Sequence, residues 1–191
     1  MELKFNPYKD IVNVVGNNGS GKTTLVETLF VKNTPLDNIY VLNSSGEDSW
    51  KRCGIPKENI VVPEMFSREY FESVLLMFAG KETKGSLLIL DDVDNYGPKG
   101  SMIFKSVVIN ARHLNLGVIV TTRDLQSLPI NFYQQAHYTF FARQPSDYSL
   151  RYIATLIPPE HTYNLKNLDK YVFGVWDMAE FKMDYIKLKG Y

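Results

Sequence analysis

An α/β fold, with a mostly parallel central sheet and helices on both of its faces, is what the sequence predicts, and three observations carry that prediction. Short apolar runs alternate with longer segments of helical periodicity along most of the chain. The run SLLILDD over residues 86–92 is apolar almost until its end, as a central strand covered on both faces requires. A glycine-rich turn, Gly16-Asn17-Asn18-Gly19-Ser20-Gly21-Lys22-Thr23, stands between the first strand-like run and the first helix-like one.

Residues 10–15 read as strand, 22–31 as helix and 38–43 as strand. A helix follows over 67–78, because Tyr70, Phe71, Val74, Leu75 and Phe78 recur at helical spacing and Ser67 can cap it. Residues 86–92, 117–122 and 137–142 complete a set of five strands, with a helix over 101–114 between the first two of these. After Pro145, residues 146–157 read as a helix stopped by Pro158-Pro159, and 171–176 with 184–189 read as a C-terminal β-hairpin extension. The length suits one domain, 1–191, with its core at about 10–143 and the extension at 144–191.

Composition narrows the class. Lys plus Arg and Asp plus Glu both number 21, so no global basic field advertises nucleic acid and any such contact must be local. One cysteine, Cys53, rules out a disulfide within the chain and fits a reducing setting. Residues 1–10 lack an apolar run, and no segment approaches the roughly 18 apolar residues of a membrane span. The expectation is a cytoplasmic protein that is not integral to a membrane. His113, His137 and His161 lack metal-ligand spacing. The many aromatics fall mostly on inward periodicities, although Phe132 and Tyr133, near a loop, are candidates for a subunit contact, as is the broadly apolar helix 101–114.

The turn at 16–23 matches G-x-x-x-x-G-K-[ST] completely, in its proper context between strand and helix. This is the phosphate loop of a P-loop NTPase. Gly16, Gly19 and Gly21 permit a path in which the N–H groups from Asn17, Asn18 and Ser20 onward point at phosphate oxygens. The helix that begins near Lys22 adds its positive end, Lys22 reaches the β- and γ-phosphates, and Thr24 stands at the α-phosphate side. Thr23 is the expected Mg²⁺ ligand, together with Asp91 at the end of the acid-tipped strand, usually through water. Asp92 is placed to orient or deprotonate the attacking water, and two adjacent carboxylates argue for hydrolysis. The cofactors implied are ATP and Mg²⁺.

The stretch INARHLNLGVIVTTRDLQSLPINFYQQAHYTFFAR, over residues 109–143, resembles the region after the acid strand in the FtsK–HerA superfamily of DNA-pumping ATPases. The small size and the paired acids resemble, within it, the genome-packaging ATPases of double-jelly-roll viruses with internal membranes. The resemblance implies an ATPase that threads double-stranded DNA into a preformed capsid, as a ring, hexameric, with sites shared between subunits and with capsid or viral membrane vertex proteins as further partners. It places Arg112 as the arginine finger inserted into a neighbour's site, where a guanidinium neutralises charge on the transferring phosphoryl. Arg143 is a second candidate for that role, or a surface residue. Where the family carries a γ-phosphate-sensing glutamine, this chain has Arg123, with Thr122 beside it and Gln126 three residues on. Lys99 in the loop DNYGPKGS and the pair Lys51-Arg52 are candidate DNA contacts, or ordinary solvated loop residues. A small nucleoside or nucleotide kinase is the alternative reading, though an arginine-rich lid is lacking, and a slow NTP-binding switch is a third.

Overall fold

A computed structural model describes residues 3–44, 50–80 and 85–190. Strands β1 (Ile11–Val15), β2 (Ile39–Leu42), β3 (Ile60–Val61), β4 (Ser86–Leu90), β5 (Leu116–Thr122), β6 (Tyr138–Phe141), β7 (Val172–Asp177) and β8 (Lys182–Lys187) form one sheet in the order β3-β2-β4-β5-β1-β6-β7-β8. The pairings among β1 to β6 are all parallel. The two C-terminal strands pair antiparallel, β7 against β6 and β8 against β7. The hairpin read as an extension therefore prolongs the central sheet.

Alternation along the strands explains why both faces are covered. In β4, Leu88 and Leu90 enter one apolar cluster while Leu87 and Ile89 enter the other. The first cluster takes α2 (Arg68–Gly80), α3 (Met102–Asn110), α4 (Ile130–Gln135), α5 (Asp147–Ile153) and α6 (Pro159–Leu165). The second takes α1 (Lys22–Leu29) through Leu25 and Val26, with Trp50 fully buried beside them.

Several boundaries differ from the sequence reading. Helix α1 ends at Leu29, and Val31–Asn33 tighten into a 3₁₀ turn. Helix α3 starts after Ser101, whose hydroxyl accepts from Phe104 N–H, and stops at Asn110 where the reading had 114. The chain leaves it through Asn115 in the left-handed region, φ 49°, with Leu116 N–H bonded back to Ala111 O at 2.9 Å. Pro159, read as a stop, instead opens α6, since a proline at the first helical position loses no intrahelical hydrogen bond. Phe132 and Tyr133, proposed at a subunit contact, are 1% and 4% exposed and belong to the core. The Tyr133 hydroxyl donates to Leu156 O at 3.1 Å, which satisfies the polar tip of a buried ring.

Candidate nucleotide-binding site

The parallel order places the C-terminal ends of β4, β5 and β1 side by side, and each delivers part of the site. Beyond β1, Gly16 N–H bonds to Thr122 O at 3.0 Å, which fixes the start of the loop to the tip of β5. A Cβ on Gly16 would lie 2.6 Å from both Ala142 Cβ and Ser20 Oγ, so the loop is wound too tightly for any other residue. Gly21, at φ 94°, caps α1 with no side-chain acceptor, and the first turn contains no acid. The unpaired N–H groups of the first turn and the positive helix end are thus met by no side-chain cap and by no acid of the helix itself. Ser20 Oγ is buried there with no hydrogen-bond partner among the described residues. These are the features of an anion cradle.

Lys22 is 6% exposed, donates to Gly16 O at 2.8 Å and lies 3.1 Å from Asp92 Oδ1. The Asp92 contact is one of charge, since its Oδ1 has no hydrogen bond among the described residues. Asp92 adopts φ 45°, a left-handed conformation that turns its carboxylate out of the strand direction and toward the loop. Its N–H donates to Thr121 Oγ1 at 2.8 Å, and the same hydroxyl donates to Asp91 Oδ1 at 2.7 Å. Thr121 therefore positions both acids.

Asp91 faces inward. Trp50 Nε1 approaches its Oδ2 at 3.4 Å, Ser44 Oγ donates to its backbone carbonyl, and the residue is 3% exposed. Burial, opposed by the Thr121 hydrogen bond, pushes its pKa up to about 6. Of the paired acids, Asp92 is the one that lines the cleft, together with Asn18 to Thr24, Ser44, Asn95, Lys170 and Tyr171, in a volume of about 530 Å³. That size is typical of small-ligand sites.

At the tip of β5, Thr122 Oγ1 donates to Asp94 Oδ1 at 2.6 Å and Arg123 N–H to Asp94 Oδ2 at 2.7 Å. Burial alone would raise the Asp94 carboxyl, but these donors outweigh it and hold it below the usual carboxylate range. The Arg123 guanidinium donates to Asn95 Oδ1 at 3.0 Å, which sets it at the rim of the cleft. Gln126 turns inward, with its Nε2 buried and without a partner among the described residues.

Arg112 is elsewhere. It follows α3 near the N-terminal ends of β1 and β5, and five residues of strand, roughly 16 Å, separate that edge from the loop. Its Nη2 is 2.7 Å from His137 Nε2. His137 Nδ1 accepts from Ile11 N–H at 3.1 Å, so the neutral ring carries its proton on Nε2, which also lies 3.4 Å from Asp10 Oδ1. Two donors then face each other, and Arg112 is weakly held.

The remaining basic candidates are at the surface. Arg143 is exposed and donates to Lys166 O at 3.2 Å. Arg52 pairs with Glu27 at 2.7 Å, and Lys51 beside it is exposed. Exposed Lys99 sits in a pair of 3₁₀ turns braced by Arg68, which donates to Gly97 O at 3.2 Å. Thr121, Trp50, Ser44, Lys170 and Tyr171 were not singled out by the sequence. Only the polar pair closing the apolar run of β5 was a usable signal, and it pointed to Thr121 and Thr122 alike.

Fold and loop together define the architecture of a P-loop NTPase. Neither a protein-family model nor a curated protein matches the sequence. Among solved structures, the chain is similar to the genome packaging NTPase B204 from Sulfolobus turreted icosahedral virus 2 in complex with AMPPCP, at 23% identity and a TM-score of 0.80, covering 95% of this chain and 98% of that one. It is also similar to B204, the DNA-packaging ATPase from Sulfolobus turreted icosahedral virus, at 20% identity and a TM-score of 0.80, over 96% and 98% of the two chains. The N-terminal domain of the zonular occludens toxin from Neisseria meningitidis is similar at 13% identity, with a TM-score of 0.57 and 96% of each chain covered.

Proposed function

We propose that this chain is an ATP hydrolase that drives a viral double-stranded DNA genome into a preformed capsid, working as a ring, a hexamer, whose sites are shared between neighbours. What carries the reading is the cleft, where an uncapped phosphate loop, Lys22 and Asp92 converge, on a fold shared nearly end to end with a genome-packaging NTPase. The groups around Thr23 that could ligate a metal are oxygens, among them those of Ser20, Ser44 and Asp92, the set that suits Mg²⁺. When bound, that ion neutralises charge on the terminal phosphates. Thr23 and Asp92, which line the cleft, are the residues that would hold it, while Asp91, expected from the sequence as the ligand, turns inward onto Thr121 and Trp50 and would act from behind them, through water.

The chain's own residues would then act as follows. The N–H groups at the head of α1 bind the phosphates, and Lys22 exchanges Gly16 O and Asp92 for the β- and γ-oxygens. Asp92, released from Lys22 and still fixed at its backbone by Thr121, orients water and accepts its proton. Arg123 stands at the rim as a cationic sensor of the γ-phosphate. Arg112 lies too far to serve its own loop and would complete the site of the next subunit. Capsid or membrane-vertex proteins would dock the ring, and exposed Lys99 or Lys51 would contact DNA, with an affinity that falls as salt rises.

Steady-state hydrolysis without any phosphate acceptor, followed against protein concentration, tests this. The unmodified chain should show cooperative concentration dependence, Arg112→Ala should lose activity, and an equal mixture of Arg112→Ala with Lys22→Ala should regain part of it. Turnover that is independent of concentration and unaffected by Arg112→Ala would overturn the shared site. Turnover that requires a small acceptor would favour a kinase.

A further inference from the structure

Two residues of the C-terminal hairpin enter the cleft without any role in the chemistry above. Lys170 and Tyr171 line it together with Asp92 and Asn95. Tyr171 stands at φ 63°, a conformation that a bulky residue adopts only when its surroundings impose it. Val172 N–H bonded to Asp169 O and Leu188 N–H bonded to Tyr171 O lock the turn in place. Its ring is seated on Gly21, where a Cβ would come within 2.7 Å of Tyr171 Cδ1. Lys170 Nζ lies 5.0 Å from the ring centroid, so a π-face of Tyr171 is directed to a polar partner at the cleft.

Strand order gives this placement its meaning. The acids follow β4, on one side of β1, whereas Tyr171 leads into β7, on the other side, with β6 between. A nucleoside triphosphate bound along the loop with its terminal phosphate toward Asp92 therefore has its sugar and base toward Tyr171. We infer that Lys170 and Tyr171 form the nucleoside wall of the cleft, the base stacking on the Tyr171 ring face that Lys170 covers here, while the loop alone holds the phosphates. This inference rests on the proposed nucleotide site.

Two probes separate the wall from the cradle: ATP, and inorganic tripolyphosphate, which has no base. Calorimetric titration of the whole chain should show Tyr171→Ala weakening ATP binding about tenfold, as loss of a stacking ring does, with tripolyphosphate affinity unchanged. Tyr171→Phe should bind both ligands as the unmodified chain does. Lys22→Ala should weaken both. If Tyr171→Ala leaves ATP affinity intact, or weakens ATP and tripolyphosphate by the same factor, the ring merely braces Gly21 and the inference is overturned. If the unmodified chain binds neither ligand, the nucleotide site itself fails, and the wall with it.

Discussion

The two ends of the parallel strands are built on opposite electrostatic plans. At the C-terminal end, the buried and half-buried charges sit in a fixed lattice: Lys22 with Asp92, Asp91 with Thr121 and Trp50, Asp94 with Thr122 and Arg123. At the N-terminal end, Arg112 and the His137 N–H meet as two donors, with Asp10 as the nearby acceptor. The first arrangement stores a charge inside a low-dielectric site and needs a ligand to rearrange it. The second leaves a guanidinium exposed and loosely attached, as a group offered to another molecule must be. Substitutions should therefore separate the two ends by what they damage.

The largest effect is expected at the tight end. Lys22→Ala removes the cation that neutralises Asp92 and would meet the phosphates, and it should lower hydrolysis roughly 10²–10³-fold or more together with ATP affinity, measured by steady-state turnover and calorimetry. Thr121→Val keeps the shape of the side chain but deletes the hydroxyl that serves both acids. It leaves Asp91 Oδ1 and Asp92 N–H without that partner and should lower unfolding free energy by about 2–3 kcal/mol in urea titrations. A loss below about 0.5 kcal/mol would mean that water replaces the hydroxyl, and that the lattice is less closed than its distances suggest.

The pH dependence of stability is smaller and carries a definite sign. Asp91 has its pKa raised to about 6 in the folded chain, against roughly 3.9 when unfolded. The folded state therefore binds the proton more tightly, so the contribution is present in full below about pH 4 and is lost as pH rises through 6. Taking Asp91→Asn as a reference without this titration, the Tm difference, unmodified chain minus variant, should be greatest near pH 4 and smallest near pH 7. A difference that grows toward pH 7 would place Asp91 in a solvated, cation-stabilised setting instead.

Much of this was legible in the sequence because the relevant signals are local. The apolar strands, the loop at 16–23 and the acids after β4 are set by composition and spacing, and helix α3 was missed only at its end, where Asn115 takes a left-handed turn. What escaped depends on distant pairing. The two-residue β3 has too few residues to show a period and exists through its pairing with β2. Tyr171 reads as one aromatic of a strand, and its place over Gly21 follows from β7 pairing with β6. Equally, position along the chain gave Asp91 and Asp92 separate roles but did not show which of the two carboxylates faces the cleft. The left-handed backbone at Asp92 decides which carboxylate reaches the cleft.

The smallest expected effect is the most telling for the loose end. Arg112 is exposed and faces another donor, so Arg112→Ala should change stability by less than about 0.5 kcal/mol, even as it abolishes cooperative hydrolysis. His137 reports the change directly. Burial, together with Arg112, holds its pKa below the ordinary imidazole value, while Asp10 opposes them. A histidine whose folded pKa is depressed loses its contribution as pH falls through the unfolded value near 6.5, because the unfolded chain then binds the proton more readily. Removing Arg112 relieves part of that depression. NMR titration should show the His137 pKa rising in Arg112→Ala, and the variant should lose less stability than the unmodified chain between pH 7 and 5. An unchanged His137 titration would mean that Arg112 spends its time away from this edge, already free to reach a neighbour.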